Sequence, residues 1–385
     1  MKSNYDILGN HIRLIDTRNR ESITDRVLGI NIDKFFMPSV ANVIGTDLSK
    51  YKLITKGKFA CNPMHVGRDE RLPVALYDEE KPAIVSPAYF MFEVIDNSIL
   101  KEDYLMMWFR RPEFDRICWL HTDGSVRGGI TWDDICRLEL PIPPIENQLE
   151  IVNSYKAITE RIALKQKIND NLANTEQLVL YQAISKNQTI PLSLNEIAEF
   201  VDGDRGKNYP TFDEFSTSGF CLFLNASNVT SSGFNFDSCM FVTEEKDKIM
   251  RNGHLLLNDI VFTSRGTLGN VALYDKNIKY KNVRINSGML IIRPKGINLS
   301  PYFIYALLKS NYMKSAIEQF RSGSAQPQLP IKDLQNITFD IPESQNVLDD
   351  LEHRFFEIEE TISINKREIG NLSELASILL ARLSR

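Results

Sequence analysis

Residues 124–152 read GSVRGGITWDDICRLELPIPPIENQLEIV, and residues 323–351 read GSAQPQLPIKDLQNITFDIPESQNVLDDL, the same pattern restated 199 positions later. Each copy passes through a proline turn into a long amphipathic stretch. Solenoid and propeller repeats run to about 20–50 residues, so a period near 200 marks a duplicated domain, each copy followed by its own helix.

Seam positions test the helices. In the second copy Leu348, Leu351, Phe355, Ile358, Ile362, Asn365, Ile369, Leu372, Ala376, Leu379 and Leu383 alternate spacings of three and four, the pattern of a helix packed on another helix. Asn365 is the one polar member. In the first copy Ile151, Tyr155, Ile158, Ile162, Leu172 and Val179 keep the register, while Lys165, Asn169 and Glu176 interrupt it. Lys165 and Asn365 fall opposite one another in repeat register, and a polar seam pair fixes register at some cost in stability. A helix of ~37 residues is ~55 Å long, more than a small domain needs to cover its core. Both helices therefore read as a spacer; two ordinary core helices, each on its own domain, is the plainer alternative. Leu149, Ile168, Phe356 and Ile364 lie off the seam. They either bind partner proteins or cover the domains beside them.

Outward from the helices, 385 residues suit about two domains. Ile12–Ile15, Leu53–Ala60, Leu72–Tyr77 and Tyr89–Val94 have the composition of strands, and Lys101–Arg110 that of a helix. The order returns as strands Leu256–Phe262, Asn270–Tyr274 and Ser287–Arg293, then helix Tyr302–Lys309. Ala75-Leu76-Tyr77-Asp78 is identical to Ala272-Leu273-Tyr274-Asp275, and Tyr104 aligns with Tyr302. The expected organisation is domain 1–145, helix 146–185, domain 186–342 and helix 343–385, with Ser185–Ile190 as linker. The fold class is α+β: two similar mixed α/β domains separated by two long antiparallel helices, related by an internal pseudo-twofold axis. Such a molecule suits a DNA site split into two halves at a set spacing. Residues 29–60 have no close counterpart in the second copy, so the halves would read different sequences.

Charge is distributed unevenly. Of the net −5, the two helical segments carry −5 and the two domains sum to zero. Residues 276–295 hold six basic residues and no acidic one (Lys276, Lys279, Lys281, Arg284, Arg293, Lys295), and residues 50–71 hold six basic and two acidic. Such stripes either meet a phosphate backbone or form solvated strand faces. Five cysteines without CxxC spacing indicate neither a disulfide framework nor a zinc site. The five histidines are scattered, and neither a GxxxxGK[ST] phosphate loop nor a GxGxxG turn occurs. No metal site and no catalytic residue is expected. No apolar run approaches a membrane span, and the chain is expected to be cytoplasmic.

The residues now carry a resemblance. Asp259-Ile-Val-Phe-Thr-Ser-Arg-Gly-Thr-Leu-Gly269, Ser287-Gly-Met-Leu-Ile-Ile-Arg-Pro294, Gly323-Ser-Ala-Gln-Pro-Gln-Leu329 and Ile341-Pro342 before a helix resemble the specificity subunit of type I restriction-modification systems. The first copy resembles another target-recognition domain of that family through Gly29-Ile-Asn-Ile32, Pro38-Ser-Val-Ala-Asn42 and Leu140-Pro-Ile-Pro-Pro144 with Gln148. The second helix entry, Ile-Pro-Glu-Ser-Gln, lacks the second proline common in the family. The resemblance implies a non-catalytic subunit that reads a bipartite asymmetric sequence in double-stranded DNA. It further implies two adenine methyltransferase (modification) subunits as partners, and restriction-motor subunits in the full complex. No cofactor would bind this chain; S-adenosylmethionine would sit on the methyltransferase. Consistently, Asn62-Pro63-Met64 stops short of a methylase motif.

Base readout uses Arg toward guanine and Asn or Gln toward adenine, and Gly-bounded polar loops are the places to look. Candidates in the first domain are Arg18, Asn19, Arg20, Arg68 and Arg127. In the second they are Arg205, Lys207, Ser264, Arg265, Thr267, Arg321, Gln326 and Gln328, with Lys281 and Arg284 from the basic stripe. For each, a solvated loop is the alternative. Partner contacts fall to Leu149, Ile168, Phe356 and Ile364. Two other functions stay open. Asp237 with Glu244-Glu-Lys246 mimics a metal-dependent nuclease layout, and a coiled-coil adapter would bind proteins without DNA.

Overall fold

Ile260, Val261 and Phe262 are consecutive and all buried, yet they enter different cores. Ile260 and Phe262 join one apolar cluster and Val261 joins another. Successive strand side chains point to opposite faces, so a run this apolar belongs to a sheet covered on both sides. The computed structural model, which describes residues 5–64, 66–122, 128–296, 299–320 and 328–383, builds both halves of the chain on such a sheet.

The chain forms two units: residues 1–164 with 369–385, and residues 165–368. In the first unit an antiparallel sheet has the order Ile12–Leu14, Phe90–Val94, Phe59–Cys61, Val74–Leu76. Phe59, Cys61, Phe92 and Val94 face the helices Glu102–Phe109 and Pro112–Leu120, while Ala60 and Met91 face a second sheet. On the helix side Phe59 and Phe92 stack at 5.0 Å, and Phe109 meets both rings edge-on. The second sheet has the order Phe36–Pro38, Val27–Ile30, Ala83–Val85, Lys52–Ile54. The other unit repeats the arrangement with Ala198–Asp202, Met289–Pro294, Ile260–Thr263 and Val271–Leu273. Its covering helices are Pro301–Lys309 and Asn311–Phe320, and its smaller sheet is Phe241–Val242, Cys221–Leu224, Val283–Ile285. Pro301 in the first turn and the Ser300 hydroxyl, which accepts from Phe303 N, start the first of these helices.

Two expected strands differ. Leu53–Ala60 is two strands of different sheets, Lys52–Ile54 and Phe59–Cys61, because Gly57 adopts φ +81° and turns the chain between them. Leu256–Phe262 begins as a strand only at Ile260. Before it Asn258 takes φ +73° and the Asp259 carboxylate accepts from Leu256 N, a turn that leaves Leu256 and Leu257 exposed.

The long helices are Ile145–Lys186 and Gln345–Arg382. In the first unit Val152 and Tyr155 share a core with Ala376 and Leu383. In the second, Leu180 and Ala183 share one with Leu348, Leu351 and Phe355. The start of each helix thus packs beside the end of the other, and the pair is antiparallel. Every seam position of the second helix read from the sequence is buried or half-buried. The three polar interruptions of the first helix are matched inside the second unit. Lys165 Nζ donates to Asn365 Oδ1 at 2.8 Å and pairs with Glu368, and Asn365 Nδ2 donates to Asn169 Oδ1 at 2.8 Å. Glu176 is fully buried; Lys309 lies 2.5 Å from it, also pairs with Glu359, and sits over the Tyr305 ring.

Burial, reinforced by the Glu359 charge, pushes the Glu176 carboxyl up to about 8 despite Lys309. Burial alone would lower Lys309, and the two carboxylates more than reverse it. The folded protein therefore holds a proton on Glu176 that the unfolded chain releases near 4.5. Stability from this group falls as pH rises between those values. Glu176→Gln, neutral at all pH, should gain ~2–4 kcal/mol relative to the native chain between pH 5 and pH 9. Urea unfolding of both proteins across that range checks it; parallel curves would show that Glu176 does not titrate there.

Candidate nucleic-acid interface

Antiparallel pairing places the loops. Ala198–Asp202 and Ile260–Thr263 both run against Met289–Pro294, with Asp202 opposite Leu290 and Thr263 opposite Met289. The segments leaving the first two strands and the segment entering the third therefore emerge at one end of the sheet. These are Gly203–Lys207, Ser264–Gly269 and Asn286–Gly288.

Hydrogen bonds lock them together. Ser264 N and Oγ both donate to Gly288 O at 3.0 Å, and Leu329 N donates to Ser264 O at 3.2 Å. Arg265 and Gln328 form a backbone bridge. Arg205 donates to Asp202 at 3.0 Å and to Ser287 O at 3.4 Å. A Cβ on Gly203 would lie 2.2 Å from Asn286 O, so only glycine permits this approach. Gly266 is there for a different reason: it has φ +76° and open space around it, leaving its backbone accessible. Asp204 is buried and accepts from Arg205 N and Arg251 N, both at 2.7 Å. Arg251, which no sequence pattern singled out, is thereby brought to the same end, exposed with Arg205, Lys207, Arg265 and Thr267.

The first unit builds the same end. Ile12–Leu14 and Phe59–Cys61 run against Phe90–Val94, so Ile15–Arg20, the segment after Cys61 and Ser86–Tyr89 emerge together. Ile130 N donates to Pro63 O at 3.2 Å, the counterpart of Leu329 on Ser264, and Gly67 N donates to Gly128 O. Arg20 and Arg68 are exposed, Arg68 bidentate on Asp69. Arg18 is half-buried, paired with Asp16 at 2.6 Å and donating to Lys50 O.

Several candidates need correction. Asn19 is fully buried and its amide donates to Thr24 O and Leu48 O, so it organises its loop and faces no ligand. Arg284 is 6% exposed; its guanidinium donates to the Asp247 carboxylate and to the carbonyls of Asn252, Asp247 and Met250. Ser264 is buried and its hydroxyl is spent on Gly288. Lys281 is exposed but follows Val271–Leu273, which leaves the sheet at the opposite end. The basic stripe of 276–295 is thus dispersed: Lys276 pairs with Glu360, Arg293 with buried Asp259, and Arg284 points inward. Likewise Lys52 donates to Tyr89 O and Arg71 pairs with Asp33. Phe356 packs edge-on to Tyr302 at 5.2 Å beneath Lys276 and so covers its own unit. Leu149, Ile168 and Ile364 are exposed, as are Leu164, Leu178, Tyr181, Leu375 and Ile378 on the same helices. Arg127, Arg321 and Gln326 lie outside the described residues. In the nuclease-like fragment Lys246 binds Glu214 and Glu244 binds Lys248. Among the described residues no group of three or more acidic, histidine or cysteine side chains could hold a metal ion.

Residues 191–369 match the family described as type I restriction modification DNA specificity domain. The chain is similar to a solved type I restriction-modification S subunit from M. genitalium at 18% identity and TM-score 0.62, covering 99% of this chain and 96% of that one. It also aligns with an HsdS subunit from Thermoanaerobacter tengcongensis at 15% identity and TM-score 0.37, over 98% and 95% of the two chains. No curated protein matches the sequence.

The geometry separates two arginines that sequence alone treats alike. Arg265→Ala should weaken DNA binding by ~1–3 kcal/mol and leave the unfolding midpoint in place. Arg284→Ala strands buried Asp247 and should cost ~3–5 kcal/mol of stability. Paired thermal unfolding and fluorescence-anisotropy titrations decide; an Arg265→Ala protein with native affinity removes that loop from the interface.

Proposed function

We propose that the whole chain is a non-catalytic specificity subunit that reads a bipartite DNA site, one half-site per unit, a reading supported by the match of residues 191–369 to the type I restriction modification DNA specificity domain family. The carrying observation is the repetition of one constellation: three loops emerging at the same end of the corresponding four-stranded sheet, once in each unit. Their side chains differ, with Arg20 and Arg68 in one and Arg205, Lys207, Arg251 and Arg265 in the other, so each half-site has its own sequence. Forked guanidiniums beside open glycine backbone suit base edges in a major groove. The adenine chemistry and its S-adenosylmethionine belong to partner methyltransferase subunits, and cleavage to motor-nuclease subunits. No helix among the described residues is long and apolar enough to cross a membrane, in keeping with a cytoplasmic site of action.

The exposed apolar residues of the long helices are the proposed seats for the methyltransferases. Leu178 and Tyr181 are 61% and 70% exposed in the second unit, and Leu149 and Leu164 are exposed in the first. Large apolar side chains held in water gain roughly 1.5–3 kcal/mol each when a partner covers them.

Two experiments follow. Methylome mapping of a methylation-free host expressing this chain with the methyltransferase of its system should show methylated adenines in a split motif, absent with the methyltransferase alone. A methyltransferase active by other means but without such a motif would leave the chain a protein-binding adapter. The double variant Leu178→Glu/Tyr181→Glu should lower methyltransferase affinity at least ~10-fold with unchanged unfolding; full co-purification would move the seat elsewhere.

A further inference from the structure

The segment from Gly203 to Ser216 carries three aromatic residues, and the structure treats them oppositely. Tyr209 and Phe215 pack on buried Phe223 at 5.6 and 5.3 Å. Between them Phe212 is 90% exposed, the most exposed large apolar side chain among the described residues of the second unit. A single exposed apolar residue is ordinary on a protein surface, so its setting has to decide whether it matters.

That setting is rigid. Phe212 begins the single helical turn Phe212–Glu214, capped by the Glu214 carboxylate, which accepts from Thr211 N at 2.8 Å and Thr211 Oγ1 at 3.1 Å. Lys246 clamps the same carboxylate at 2.7 Å. Asn208 donates to Ile249 O, Tyr209 N to Gly206 O, and Ser216 pairs with Phe241. The ring is held out in water by a turn fixed on both sides.

The same segment starts at the candidate interface. It leaves the sheet at Asp202, passes Arg205, Gly206 and Lys207, and is tied through Asp204 to Arg251. The chain neighbours of Phe212, namely Thr211, Asp213 and Glu214, are polar and exposed. A protein partner buries a contiguous apolar patch, whereas one ring flanked in the chain by polar residues matches a base step, which offers a flat face to an aromatic and sequence-tolerant stacking. Asp213 would repel phosphate, which assigns the backbone contacts to the Arg205–Lys207 side and the tip to the bases.

We propose that Phe212 is a DNA wedge: its ring inserts at, or stacks on, one base step of the half-site read by the second unit and makes that step part of the recognised sequence. Apolar wedges of this kind partly unstack and kink a duplex, so the step is selected by its deformability. The proposal rests on the chain being a DNA-reading subunit.

The test uses the full chain assembled with its methyltransferase subunits, on the duplex whose motif the native complex methylates. Phe212→Ala should bind that duplex ~10–100-fold more weakly, with an unchanged salt slope because no phosphate contact is lost. Phe212→Trp should retain affinity, and both variants should unfold as the native protein does. With 2-aminopurine stepped through the half-site, the native complex should brighten one position and Phe212→Ala should not. Native affinity and an unaltered methylated motif in Phe212→Ala would overturn the wedge while leaving the specificity role standing. Loss of methyltransferase co-purification with DNA affinity intact would overturn it in favour of a protein contact. A native complex with no sequence-specific DNA binding would sink the wedge and the specificity role together.

Discussion

In each unit one four-stranded sheet is covered on both faces, and this one constraint propagates through the molecule. Because Ile260 and Phe262 face helices while Val261 faces a second sheet, a slip of one residue would exchange two cores of different shape. Register is therefore fixed, and with it the end of the sheet at which each loop emerges. Asp202, Thr263 and Met289 arrive there together because their strands alternate in direction. The loops are free to vary in side chain because their positions are set by pairing behind them. Gly203 against Asn286 and the two hydrogen bonds from Ser264 to Gly288 O are the local fastenings.

The long helices and the duplication were legible in the sequence because helical seams leave a 3.6-residue record that needs no tertiary context. The seam residues from Leu348 to Leu383 are buried or half-buried as read, and the register pairing of Lys165 with Asn365 appears as a hydrogen bond. The core strands were legible from their apolar runs. Short turns were harder: neither the left-handed Gly57 inside Leu53–Ala60 nor Asn258 inside Leu256–Phe262 interrupts the hydrophobic pattern enough to announce a break. The smaller sheets, with strands of two to four residues, left almost no periodic signal.

The candidate site was half legible. Loops rich in Gly and Arg were found, and the structure brings Arg205, Arg265 and Gln328 to one place. Composition cannot say which way a side chain points, however. Arg284 occupies a strand whose alternation sends it inward to Asp247, and Asn19 turns back to satisfy its own loop. Arg251 and Phe212 went unnoticed because nothing near them in sequence is unusual. Arg251 is placed by a backbone bond to Asp204, 47 positions earlier.

The two units differ in how the chain supplies them. The second is one uninterrupted segment, residues 165–368, while the first needs residues 369–385 to complete it. Ala376 and Leu383 fill a core begun by Leu8 and Ile12. During synthesis, which delivers about 5–20 residues each second, the second unit can close as soon as its last residues clear the ribosome. The first has to wait with an open apolar slot through the making of more than 200 further residues. The half translated first is thus the one whose core is completed last, by the end of the second long helix.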